Sequence, residues 1–305
     1  MAASLDLTRF PRRSDAVSVV VVLAHLAFVL APVYLAAWIG PSPWLLLLWL
    51  WFGLFMHGLI NLMHECAHYS AFKPRWASNL AGSWVLGPLV FADFDAYRQR
   101  HWDHHRHLGM PGDTKDAYLV DIRGLGSLAL LSRSLVLKEA MGKLGVQRAS
   151  AAANPSRAWL ARTAIVQACL VGSLLAVAFA ARPRDPLGAV IAAGLAYGLV
   201  YGHGLAALTT FVATLRAIAE HQQGGDGAER VGRAAVRNFS CGPLTRLLFG
   251  AYGFAEHATH HREPALPSYC LGEATAALAD DPALAPHRGY FSTLRELARP
   301  ELRVA

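Results

Sequence analysis

Residues 44–68 read Trp44-Leu-Leu-Leu-Leu-Trp49-Leu-Trp51-Phe-Gly-Leu-Phe-Met-His57-Gly-Leu-Ile-Asn61-Leu-Met-His64-Glu65-Cys66-Ala-His68. The first part, 44–63, is apolar and long enough to cross a bilayer, whose hydrocarbon core takes about 20 helical residues. It then runs without a break into His64 and His68, four positions apart and so on one face of a helix. Neutral imidazole is a common ligand for iron, copper and zinc. This stretch therefore predicts a membrane helix whose end carries candidate metal ligands.

Three further segments have spanning length: 16–39, 158–181 and 187–214. Pro41-Ser-Pro43 makes a turn between the first two, and Arg182-Pro-Arg-Asp-Pro186 does so between the last two. The expected fold is an all-α integral membrane protein with four transmembrane helices in two hairpins. Residues 64–157 and 215–305 would form a helical cap, and 1–305 a single domain. Composition agrees: 54% of residues are hydrophobic, only 16% are charged, and mean hydropathy is +0.31. Those values sit far from an ordinary soluble domain. Arg9, Arg12 and Arg13 precede the first apolar run as they would in a signal peptide. That run is long enough to span and has no small-residue cleavage site, so it reads as the first membrane helix.

The net charge of +7 does not indicate nucleic acid, because the basic residues flank apolar runs instead of forming a stripe interleaved with aromatics. Ten Lys and Arg lie between Arg98 and Arg157, and ten follow Leu215. The turn at 41–43 has none, and the turn at 182–186 has Arg182 and Arg184. The positive-inside rule then puts both termini and the middle loop in the cytoplasm. Two apolar stretches, Gly82–Ala92 and Leu244–Ala255, are too short to span and read as interfacial or re-entrant helices. Leu125–Leu137 reads as a surface-lying amphipathic piece. Cys66, Cys169, Cys241 and Cys270 stand singly, which gives neither a disulfide framework nor a zinc ribbon.

Two more histidine clusters fall on the predicted cytoplasmic side: His101-Trp-Asp103-His104-His105 and His257-Ala-Thr-His260-His261. Together the three boxes hold eight of the fourteen histidines and are spread over 197 positions, from His64 to His261. Asp103 and Glu256 are candidates to orient neighbouring rings, since a metal-bound imidazole usually donates its other N–H to an acceptor. His107 falls off the helical face of its box and is read as a neighbour of the site. His221 ends an extension of the fourth span, and position alone leaves it open between ligand and bystander. His25, His57 and His203 lie inside spans. His57 is open between a cavity lining and an inter-helix bond, while Gly202 and Gly204 suggest close helix packing around His203. His287 lies in a polar tail.

Glu65 makes the first box an H-E-x-x-H like that of zinc proteases, but such a site leaves the other two boxes unused. So many imidazoles exceed the capacity of one metal, which implies two. Oxygen-preferring magnesium and calcium do not suit this donor set, and structural zinc favours closed four-coordinate sites. Two irons fit best. The chemistry that needs redox metals beside a bilayer is O2 activation against a lipid C–H bond.

H-x3-H, H-x2-H-H and H-x2-H-H over four spans resembles the membrane fatty acid desaturase superfamily, which also includes lipid and alkane hydroxylases and carotenoid ketolases. His104-His-Arg-His107 with Asp113 and Asp116 resembles the family's H-H-R-H…D-x-x-D. His261-Arg-Glu-Pro-Ala-Leu-Pro-Ser-Tyr-Cys-Leu271 resembles the end of its third box. Leu215–His221 is similar to an L-R-x-x-A-E-H stretch that supplies a further ligand, and Asn238 matches another family position. The resemblance implies a di-iron centre held by His64, His68, His101, His104, His105, His221, His257, His260 and His261. It also implies O2 as co-substrate, a lipid or acyl thioester substrate, and electrons from an external ferredoxin or cytochrome b5. The third box is preceded by Phe254-Ala-Glu256, where many acyl-lipid desaturases carry Asn and Tyr. Desaturation is the leading expectation, hydroxylation or ketolation on the same scaffold the second. A metal-transport or storage protein is the remote third.

Overall fold

The computed structural model describes residues 10, 14–110, 113, 126–149, 156–221, 236–287 and 289–297. Among them four helices are long and apolar enough to cross a membrane: Asp15–Ile39, Leu45–Ala67, Arg157–Ala181 and Pro186–Glu220. Three of the four starts have a side-chain cap. Ser14 accepts from the Val17 N–H and Ser156 from the Trp159 N–H, and Asp185 accepts from Gly188 with Pro186 in the first turn. The first helix packs against the second, the third and the start of the fourth, and the third packs against the fourth.

The second and fourth helices run further than apolarity alone suggests, to Ala67 against an expected end at 63 and to Glu220 against 214. The fourth helix continues because Arg216 and Glu220, on its extension, pair inside the protein with each other and with Asn61 of the second helix. Asn61, Arg216 and Glu220 are all buried, Arg216 donates to the Asn61 side-chain oxygen, and Arg216 Nε lies 3.3 Å from Glu220 Oε1. Satisfied polar groups let a helix continue where a hydropathy count would end it. The two helices approach closely, and a Cβ added at Gly53 would lie 2.5 Å from Leu208 Cβ. The fourth helix widens into π turns over Ala196–His203 and Leu205–Thr209.

The short apolar stretch before the second box forms a helical run, Arg75–Leu80, Ala81–Leu86 and Gly87–Leu89, with Trp76, Leu80 and Trp84 exposed along one face. Its end is fastened to two spans: Gln167 Nε2 donates to Pro88 O at 2.9 Å, and Tyr201 OH to Leu89 O at 2.7 Å. The stretch before the third box forms a short α-helix, Pro243–Leu248, and ends in a 3-10 turn, Phe254–Glu256. Helices Ser127–Leu135 and Lys138–Ala149 follow the second box, with Leu128 and Val136 exposed. Extended pairing among the described residues is limited to a two-residue parallel pairing of Asn238–Phe239 with Pro286–His287 and an antiparallel bridge between His221 and Val236.

Candidate metal centre

Four helix ends deliver the rings. His64 lies in the last turn of helix His57–Ala67, and His68 is its C-cap, after which Tyr69 turns left-handed at φ 56°. Helix Phe94–Arg106 starts where Asp93 Oδ1 accepts from the Asp95 and Ala96 amides, and its last two turns carry His101, His104 and His105. His221 caps the helix Thr210–Glu220. The third box needs a sharp reversal, made by consecutive left-handed residues, Tyr252 at φ 56° and Gly253 at φ 82°. A side chain at Gly253 would put Cβ 2.5 Å from Leu271 Cδ1, so both backbone conformation and space call for glycine. Helix His257–Arg262 then projects His257, His260 and His261 inward.

The nine rings form one continuous cluster. His64, His68, His101, His105 and His260 have potential ligand atoms all within 4.8 Å of one another. A second group under the same limit is His104, His221 and His261, and a third is Glu220, His221 and His257. His105 and His261 stack at 4.1 Å between centroids and join the two sides. The Nε2 atoms of His68 and His101 are 2.6 Å apart, those of His105 and His101 3.0 Å, and those of His261 and His257 3.2 Å. Imidazoles bound at about 2.1 Å on adjacent vertices of an octahedron leave their nitrogens ~3 Å apart, so these spacings suit rings sharing a metal.

Tautomers sharpen this fit. His221 Nδ1 donates to the Ala217 carbonyl at 3.0 Å, and His104 Nδ1 donates to Asp113 Oδ1 at 2.6 Å. In the neutral form both rings then hold a lone pair on Nε2, and the two Nε2 atoms face each other at 3.2 Å. Opposed lone pairs at that distance repel unless a cation sits against both. Burial and the neighbouring rings hold His261 well below the usual imidazole range, which keeps it in the neutral, ligating form.

The sequence profile described as fatty acid desaturase matches residues 41–294, most of the chain and all four ring-bearing elements. This chain belongs to the fatty acid desaturase family. Among curated proteins it is similar to the sn-1 oleoyl-lipid 12-desaturase of Anabaena variabilis, 35% identical over 68 residues. It is also similar to the enzyme of that name from Synechocystis sp., 36% identical over 67 residues, and to the chloroplastic omega-6 fatty acid desaturase of Arabidopsis thaliana, 34% over 74. These matches take in 21–24% of this chain and 16–19% of each relative, so the chain spans less than a fifth of the length of the relatives it matches.

Around the rings of this desaturase-family chain, the expected helpers are placed as follows. Asp103 pairs with Arg106 at 3.0 Å in a partly exposed contact, and the carboxylate on a ring of the second box is that of Asp113. Asp113 also accepts from the Gly109 amide at 3.1 Å; its motif partner Asp116 lies outside the described residues. Glu256 is gripped by both terminal nitrogens of Arg246, at 2.6 and 3.0 Å. Asn238 holds the third-box helix from behind, accepting from the Thr259 N–H at 3.1 Å and donating to Thr259 Oγ1 and Leu284 O. His107 is exposed and bonds the Asp103 carbonyl.

Other histidines find structural partners. His57 Nδ1 donates to Leu54 O, His25 Nδ1 pairs with Tyr252 OH at 3.0 Å, and His203 accepts from Trp49 Nε1 at 3.1 Å. Gly204 packs on Phe52 and Trp49, in keeping with close approach there, whereas among the described residues a Cβ added at Gly202 would meet Tyr197 O at 3.3 Å and no neighbouring helix. Three buried groups next to the cluster have roles that the sequence motifs containing them do not report. Glu65 accepts from Ser70 Oγ and from the Ser268 amide, Phe254 stacks on His257 and tilts against His64, and Arg216 lies 4.0 Å over the Phe254 ring. An acid beside a histidine and an arginine in a span extension were the available signals.

Proposed function

We propose that this chain is an O2-dependent, two-iron desaturase that introduces a double bond into the acyl chain of a lipid or acyl thioester. The observation that carries the reading is the pair of imidazole groups with inward-facing Nε2 atoms. Family membership and the names of the relatives, an oleoyl-lipid 12-desaturase and an omega-6 fatty acid desaturase, support the reaction class and a lipid substrate. In this reading His64, His68, His101, His105 and His260 hold one iron, and His104, His221, His257 and His261 hold the other. Two irons at such a site supply the oxidising power to remove hydrogen from an unactivated C–H bond.

The chain's own residues do the rest. Asp113 and the Ala217 carbonyl fix His104 and His221 in the tautomer that ligates through Nε2. Phe254 covers His64 and His257 with an apolar ring that excludes water. Two hydrogens leave adjacent carbons of the acyl chain. With two electrons and two protons from outside, they reduce O2 to two waters. The electrons come from a separate ferredoxin or cytochrome b5. The spans form two hairpins with both termini and the ring cluster in the cytoplasm, as the placement of basic residues supports.

Expression of the chain in cells, followed by lipid mass spectrometry, tests the reaction: products two mass units lighter than their precursors are expected. Products sixteen units heavier would replace desaturation by hydroxylation, and no change in any lipid pool would remove both. Metal analysis of purified chain is expected to give two irons; stoichiometric zinc with under one iron per chain removes the oxygenase reading.

A further inference from the structure

Nine neutral rings bring no negative charge to a buried site that holds two divalent cations, and moving such charge out of water is costly unless anions accompany it. In the assignment proposed above the two sides are also unequal, five rings against four. On the smaller side, directly before His221 in the chain, lies Glu220, which is 1% exposed. One of its carboxylate oxygens lies within the same 4.8 Å limit of ligand atoms on both His221 and His257. The carboxylate is held in place: Tyr290 OH donates to Oε1 at 3.0 Å, and Arg216 Nε lies 3.3 Å from that same oxygen. Tyr290 is itself fully buried, with its hydroxyl also 2.9 Å from the Phe254 carbonyl, so the helix Tyr290–Leu297 reaches back to fix the acid.

We propose that Glu220 supplies a carboxylate oxygen to the second metal, alongside His104, His221, His257 and His261, and so gives that side a fifth donor and an anionic one. The assignment rests on the two-metal reading above. Glu65 and Asp113 are also buried acids near rings, but neither belongs to a group of converging ligand atoms. Asp113 acts through His104, and Glu65 Oε1 stands 3.7 Å from His64 Nδ1. Arg216 and Tyr290 act as positioning residues for Glu220.

The test needs no turnover. The full chain, purified in lipid nanodiscs and freed of metal, is titrated with cobalt(II), and metal per chain, affinity and visible absorption are read. Wild type is expected to take two ions. Glu220→Gln, nearly isosteric and still able to accept from Tyr290, is expected to keep the first ion at wild-type affinity. It should bind the second 10–100-fold more weakly, with an altered cobalt spectrum. Glu139→Gln, at a buried acid paired with Arg133 away from the rings, is expected to bind both as wild type does. Two ions of unchanged affinity and spectrum in Glu220→Gln overturn the carboxylate assignment and leave the two-metal reading standing. A wild type that takes fewer than two ions overturns both. Should Glu220→Gln not fold, infrared difference spectra of wild type on zinc addition decide: a shifted carboxylate stretch supports the assignment, an unchanged carboxylate region overturns it.

Discussion

Asp113 and Asp103 are both acids near the second box, yet only Asp113 touches a ring. Loss of such a ring-orienting acceptor typically weakens metal binding 10–100-fold. Asp113→Ala is therefore expected to lose metal affinity by about that factor, while Asp103→Ala keeps it. Chelator competition on purified protein measures both. A parallel contrast separates His221 from His107: His221→Ala should lose metal and product, whereas His107→Ala should retain both. Product retained by His221→Ala would show that the cluster works without that ring. The eight box histidines were legible because spacing is a direct record of which side chains share a helical face. The identity of their supporting acids was not. Asp113 lies nine positions from His104 across a loop, and no local periodicity reports which carboxylate in a loop folds back.

At the scale of elements, the four spans were legible as apolar runs, but the ends of the second and fourth were not. Hydropathy stops counting when Arg216 and Glu220 appear, whereas the fourth helix continues because those groups pair with each other and with Asn61. The turn into the third box depends on Tyr252 and Gly253 and is a feature of backbone sign, not hydrophobic pattern. Gly253→Ala is expected to cost about 1–2 kcal/mol from the left-handed backbone alone, and more from the contact with Leu271. A lowered thermal midpoint in detergent, with weaker binding of metal, is the expected reading. Asn238→Ala should act likewise, since it strips two bonds from the helix carrying His257, His260 and His261 and a third that ties it to Leu284.

For the molecule as a whole, acid sensitivity follows from the rings. His261 is held below its ordinary value of 6.5 by burial and by neighbouring imidazoles. An unfolded ring gains its proton near about 6.5 while the folded one resists. Its contribution to stability is therefore intact above that pH and is lost as pH falls below it. Metal-free protein should show a falling unfolding midpoint from about pH 6.5 downward, and metal loading should fall over the same range as protons compete for nitrogen. A midpoint flat across that range would contradict the buried, neutral state of the cluster. The rings themselves come from positions 64 to 261 of one chain, and that spread has a consequence for biosynthesis. The ribosome releases His64 and His68 early, but the rings of the third box emerge only after all four spans have been made. No complete metal site exists at any earlier moment. A metal held by rings from all three boxes therefore enters only a nearly finished chain, and a chain truncated before residue 257 would carry a half-built site with nothing to close it.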